Sequence, residues 1–323
     1  MQIQKKLRRS SILLAAAFAL GAQAMPASAT SILFLGNSFT YGDPAGALPV
    51  VQYYQPGTVT DLNNTGIGGV PALFKAMTMQ AGLDYQVSLE TSPGIGVDFH
   101  YNNKLGVITG AWDKVVMQSY STLDASHPGD PTTLIKYSGL LAQVFHEQNP
   151  NVDIMLNSTW SRADQTYRQG GAWYGQPIEQ MALDVRKGYD AADAASSLID
   201  GVIPVGQAWN RAIADGLADA NPYDGIGAGQ INLWAPDSYH GSIYGYYLEA
   251  LTLFGSITGL DPRSLGANET VARDLGIGSD TALALQGYAA AQLAAEEVPE
   301  PGIALTFATL AGLMVVARRR KSS

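Results

Sequence analysis

The order of apolar patterns along the chain predicts an α/β fold: a mostly parallel five-stranded sheet with helices on both faces. Three observations carry this. Five short apolar runs, over residues 31–35, 59–62, 114–118, 152–157 and 202–205, have the length of buried strands. Stretches with helical spacing separate them, over 71–80, 132–148, 178–198, 207–217 and 243–257. The 323 residues, 46% hydrophobic and 15% charged, suffice to bury a core of that size.

The elements follow in order. The run 31–35 is apolar without alternation and stops at Gly36, as a strand covered on both faces does. The run 59–62 leads into Asn64-Thr65-Gly66-Ile67-Gly68-Gly69, where glycines allow close backbone approach. Residues 84–110 show no single period and hold an extra strand or a loop. The runs 114–118, 152–157 and 202–205 each precede a helical stretch, and an Ala-rich helix over 281–295 closes the body. The body spans 30–292, with a linker at 293–297. In open sheets of this kind ligands sit beyond the carboxyl ends of the strands, so the residues just after each strand are the candidates for a site.

The two ends read as addresses. A basic stretch before the apolar run 12–20, then Ala27-Ser28-Ala29, makes residues 1–29 a secretory signal with cleavage before Thr30; Ala22-Gln23-Ala24 is a second cleavage site. At the other end Val298-Pro299-Glu300-Pro301 precedes the apolar run 303–317 and the basic cluster 318–321. Fifteen residues of helix reach about 23 Å, a marginal bilayer span with the basic cluster on the cytoplasmic side. The order Val-Pro-Glu-Pro, apolar helix, arginine cluster resembles the PEP-CTERM sorting tail of Gram-negative bacteria. That resemblance covers 298–323 and implies an exosortase as partner, transient anchoring through 303–317, and a periplasmic, surface or secreted destination.

Charge and composition exclude several classes. Between the two ends 11 basic residues face 27 acidic ones, a net of −16, which repels phosphate backbones and disfavours nucleic acid. The absence of cysteine removes disulfides, thiolate metal sites and a cysteine nucleophile. No His/Asp cluster has metal-ligand spacing, so no metal is expected.

Candidate chemistry lies at the strand ends. Gly36-Asn37-Ser38 puts a serine on a tight turn after the first strand, where backbone N–H groups beyond it can hold an oxyanion; a helix-capping serine is the plain alternative. Of the four histidines, His146 falls within a helical stretch and His100 in the unclear segment. His127 and His240 each carry an aspartate three residues earlier, Asp124 and Asp237, a spacing that sets a carboxylate beside an imidazole. His240 is favoured, because the long helix from 243 fixes its loop from behind, whereas His127 precedes the turn Pro128-Gly129-Asp130-Pro131. Trp160 and Arg162, after the fourth strand, are candidates for lining a substrate cleft, or else a packed indole and a solvated cation.

Gly36-Asn37-Ser38, Gly69 and Asp237-x-x-His240 together resemble the GDSL/SGNH hydrolases, with the likeness running over most of 31–260. It implies a flavodoxin-like three-layer sandwich and a serine esterase mechanism without cofactor. By that resemblance Ser38 is the nucleophile, His240 the base, Asp237 its partner, and the N–H groups of Ser38 and Gly69 oxyanion donors. The departure is in the third block, where the family places Gly-x-Asn-Asp and this chain has Gln118-Ser119-Tyr120-Ser121-Thr122. Gln118 offers the same amide one methylene further out, as a third oxyanion donor or as a cap on the following loop. The expected function is an exported esterase acting on an ester, including acyl groups on carbohydrate or exopolysaccharide. The alternatives are a non-catalytic glycan-binding envelope or matrix protein on the same fold, and a lipase or thioesterase.

Overall fold

The computed structural model describes residues 29–43 and 50–296. Six strands form one parallel sheet: β1 (Thr30–Gly36), β2 (Thr60–Asp61), β3 (Tyr85–Thr91), β4 (Lys114–Met117), β5 (Asp153–Ser158) and β6 (Gly201–Pro204). Their order is β2-β3-β1-β4-β5-β6. The helices are α1 (Ser38–Tyr41), α2 (Gly69–Gln80), α3 (Val97–Asn103), α4 (Leu105–Ile108), α5 (Thr132–Gln148), α6 (Ala163–Tyr167), α7 (Glu179–Ala194), α8 (Val205–Ala214), α9 (Ile243–Thr258), α10 (Thr270–Asp274) and α11 (Ser279–Glu296).

The sheet has six strands where five were expected. The run at 59–62 contributes only the two-residue edge strand β2, while the unclear segment supplies β3, which pairs with β1 over seven residues. Without that edge strand the order β3-β1-β4-β5-β6 is the flavodoxin-like order, with its switch point between β1 and β4. Alternate residues serve the two faces. Ile32 and Phe34 pack toward α2, α8 and α9, with α11 laid outside α9; Leu33 and Leu35 pack toward α3, α5 and α7. This covers both faces, giving three layers and explaining why β1 reads as an unbroken apolar run.

At the chain's end α11 continues through Glu296, whose carboxylate pairs with Arg186 of α7, so the linker expected at 293–297 is helical for most of its length. The signal and the sorting tail lie outside the described residues. Among the described residues no helix is long and apolar enough to cross a membrane.

Candidate active site

Ser38 sits at the carboxyl end of β1, beside the switch point. The capping alternative does not apply to it: Asn37 caps α1, its Oδ1 accepting from Phe39 N at 3.1 Å, which leaves Ser38 as the first helical residue. The Asn37 amide also donates to Ile95 O at 2.7 Å and Ser119 O at 3.1 Å, tying the turn to the segments after β3 and β4. Gly36 has to be glycine, because a Cβ there would meet Thr40 Oγ1 at 2.0 Å. From the other side the buried Tyr246 hydroxyl donates to Ser38 O at 3.4 Å and Asp43 O at 3.3 Å.

The two Asp-x-x-His pairs share one local geometry and differ in surroundings. In each, the aspartate Oδ1 accepts two following backbone N–H groups: Tyr239 and His240 for Asp237, Ser126 and His127 for Asp124. His127 is exposed, its side chain 78% accessible, with Nδ1 3.6 Å from Asp124. His240 is buried, with Nδ1 2.6 Å from Asp237 Oδ2. Its ring stacks on Tyr239 at 4.0 Å and faces Phe39, the residue after Ser38, at 5.7 Å. Its other nitrogen, Nε2, is buried without a hydrogen-bond partner. Burial pushes the Asp237 carboxyl up, but the His240 ring and the Tyr239 and His240 amides outweigh it and hold it below the ordinary carboxylate value. An ionised Asp237 fixes the tautomer that leaves Nε2 able to take a proton. The loop is supported by Ala235 N donating to His240 O at 2.8 Å and by Ser242, whose hydroxyl caps α9.

Gly69 begins α2 with φ +60°, and a Cβ there would meet the Tyr41 carbonyl at 2.7 Å. Glycine therefore lets the start of α2 lie against α1, next to the Ser38 turn.

Gln118 corrects the expectation of a third oxyanion donor. Its side chain is fully buried in the turn: Oε1 accepts from Asn37 N at 3.0 Å and Thr40 Oγ1 at 3.1 Å, while Nε2 donates to Ser119 O. The Asn37 N–H fixes which end of the amide faces it. Gln118 is a brace for the Ser38 turn, inside the protein, and its Nε2 also ties down the start of the following loop, as the capping alternative expected.

Trp160 is likewise not a cleft residue. It is fully buried, stacked on Trp209 at 4.4 Å and packed on Phe39 at 4.5 Å, and its Nε1 donates to Tyr239 O at 3.2 Å. Trp234 continues the cluster, its Nε1 donating to Ser161 O at 2.9 Å. Arg162 does line a cavity of about 180 Å³, with Asn37, Tyr120, Ser121, Thr122 and Tyr239. Its guanidinium is held by Asp164 through two bonds, reaches Ser121 Oγ at 3.3 Å and lies 3.6 Å from the Tyr239 ring centre.

The remaining histidines are structural. His146 contacts Leu198 O through Nε2 at 3.1 Å. His100, on α3, is buried against Glu90 of β3. Glu90 is itself fully buried; Asn63 reaches it at 2.9 Å and Lys104 at 3.1 Å. Burial raises the Glu90 carboxyl, and the His100, Asn63 and Lys104 contacts reverse that and hold it below its ordinary value. Asn63 stands just before the glycine loop leading to Gly69, so this cluster anchors that loop to the sheet. Among the described residues no group of three His, Cys, Asp or Glu side chains is placed to hold a metal.

No family model matches the chain, and no curated protein matches it in sequence. Solved structures do. A DUF4886 family protein from Bacteroides uniformis aligns over 84% of this chain and 98% of its own, with a TM-score of 0.56 at 18% identity. At that identity the likeness is one of fold. Looser similarities include a lipase/acylhydrolase from Enterococcus faecalis (TM-score 0.45, 15% identity, 71% of this chain and 96% of that one). An acetyl-xylooligosaccharide esterase variant from Geobacillus Stearmophilus is similar at a TM-score of 0.44 and 17% identity, over 72% of this chain and 95% of that one.

Proposed function

We propose that the chain is a serine hydrolase cleaving an ester, exported and carrying an exosortase-sorted tail. The observation that carries the catalytic reading is His240. It is buried beside the Ser38 turn, oriented by Asp237, and its Nε2 is free of any protein partner. Catalytic hydrogen bonds in substrate-free enzymes are often long, so an unpaired Nε2 suits a base that engages serine when substrate binds.

In this reading Ser38 Oγ attacks the ester carbonyl carbon while its proton passes to His240 Nε2. The oxyanion is received by the N–H groups of Ser38 and Gly69. Collapse breaks the ester C–O bond, and the alcohol leaves with the proton from His240. Water then gives a proton to His240 and attacks the acyl-serine; collapse frees the carboxylic acid and returns the proton to Ser38. Asp237 stabilises the imidazolium in both halves. The cavity beside Asn37 is small and walled by hydroxyls, an amide and a guanidinium. Such polar walls beside the Ser38 turn suit a hydroxylated alcohol, such as a sugar, on the ester.

Labelling of the purified protein with a serine-directed fluorophosphonate tests the reading. The wild-type chain should label and the Ser38→Ala variant should not. Equal labelling of both would remove Ser38 as nucleophile, and no labelling of either would favour the glycan-binding alternative.

A further inference from the structure

Glu249 and Asn157 stand apart from the proposed triad. Glu249, on α9, is fully buried, and Asn157, on β5, is 2% exposed. Asn157 Nδ2 donates to Glu249 Oε1 at 2.8 Å. The other two polar atoms of the pair, Asn157 Oδ1 and Glu249 Oε2, are both buried without a partner. With Glu249 ionised both are pure acceptors, and two acceptors left unpaired in an apolar interior are costly. Protonating the carboxyl would turn one of the two acceptors into a donor.

We propose that Glu249 is kept as an un-ionised carboxylic acid that pairs reciprocally with the Asn157 carboxamide. The amide N–H donates to Oε1, and the acid O–H on Oε2 donates to Oδ1. The two residues act as positioning residues, clamping the second turn of α9 to the sheet. That turn begins with Tyr246, whose hydroxyl holds the Ser38 and Asp43 carbonyls. The pairing itself goes beyond the proposed hydrolase activity and stands whether or not Ser38 is a nucleophile.

The charge surroundings agree. Lys75 of α2 donates to Tyr85 O, and Arg211 of α8 donates to Gln292 Oε1, so neither cation turns to Glu249. Glu296 of α11 is held by Arg186. Strand β6 carries no titratable side chain. On α9 itself, Tyr246 faces the nucleophile turn and Tyr247 bonds with Gln286. Burial pushes the Glu249 carboxyl up to about 8, opposed only by the Asn157 hydrogen bond.

The test compares the wild-type chain with Glu249→Gln, by urea unfolding across pH and by infrared spectroscopy. The glutamine of E249Q can make both hydrogen bonds of the pair but cannot ionise. For a carboxyl raised on folding, stability is fully present below its ordinary value and declines until its folded value is passed. Relative to E249Q, the wild-type unfolding constant should therefore grow about tenfold per pH unit from the ordinary carboxylate range to the folded value, then level off. A protonated-carboxyl carbonyl band should be present in wild type at neutral pH and absent from E249Q. Parallel stability curves, or no such band, would overturn the proposal. Should E249Q fail to fold, the wild-type band at neutral pH and its loss above about pH 8 decide the matter alone.

Discussion

Replacing Gln118 by alanine separates a brace from an oxyanion donor. The substitution deletes the acceptor for Asn37 N, at 3.0 Å, and for Thr40 Oγ1, at 3.1 Å, at a fully buried position. An orphaned backbone N–H costs about 1–3 kcal/mol, and the threonine hydroxyl adds about 1 kcal/mol, since it can turn elsewhere. A total of about 3 kcal/mol corresponds to a fall in Tm of about 6–12 °C for a domain of this size. Thr40→Val, which removes only the hydroxyl, should cost about 1 kcal/mol. The double variant should be less destabilised than the two single losses combined, because both break one shared bond. Differential scanning calorimetry and turnover of a nitrophenyl acetate measure the two sides. If Gln118→Ala kept its Tm while turnover fell about 100-fold, the brace would be refuted and the side chain would be a donor to the transition state.

The two histidines should respond oppositely. His240→Ala should lower ester turnover about 10³-fold or more, and Asp237→Asn should be nearly as damaging, while His127→Ala leaves turnover within about twofold. Steady-state kinetics of the three variants checks this. The Glu90 carboxyl, held below its ordinary value by His100, Asn63 and Lys104, supports the fold above the ordinary carboxylate range and loses that support as pH falls through its folded value. Glu90→Gln should thus be destabilised at neutral pH and show a flatter acid limb in urea unfolding than wild type. Mass spectrometry of the mature protein should find a start at Thr30 and no peptide from 303–323; an intact arginine cluster on the surface form would rule out tail processing.

Where the sequence was readable, the structure explains why. Strand β1 is covered on both faces, so burial wrote itself into an unbroken apolar run, and β4, β5 and β6 carry shorter apolar stretches. Strand β3 escaped because one face carries Gln86, Ser88 and Glu90, and the buried Glu90 is tolerated only through partners from α3 and two loops. Nothing local announces such partners. Asp237 and His240 were found by spacing, yet Asp124 and His127 have the same spacing and the same turn. What separates them in the fold is burial: Phe39 of α1, far away in the chain, packs against the His240 ring, while His127 stays exposed. Gln118 was located correctly after β4, but the direction of its amide depends on a backbone N–H 81 residues away. For Trp160 the sequence left a cleft residue and a packed indole open, and it could not choose because the stacking partner, Trp209, comes from α8. Tyr246, Asn157 and Glu249 were missed, their polar groups hidden in runs that read as core.

The indoles of Trp160 and Trp209, parallel within 2° at 4.4 Å, lie directly under the loop that carries His240. Two chromophores so placed couple electronically, and the coupling changes sharply with separation. The protein therefore contains an optical gauge at its proposed reaction centre. The near-ultraviolet circular dichroism of this aromatic cluster should change if the histidine loop unseats, separately from the helical signal of the whole fold. Loosening of that loop by heat, denaturant or a bound ligand becomes visible without any attached dye.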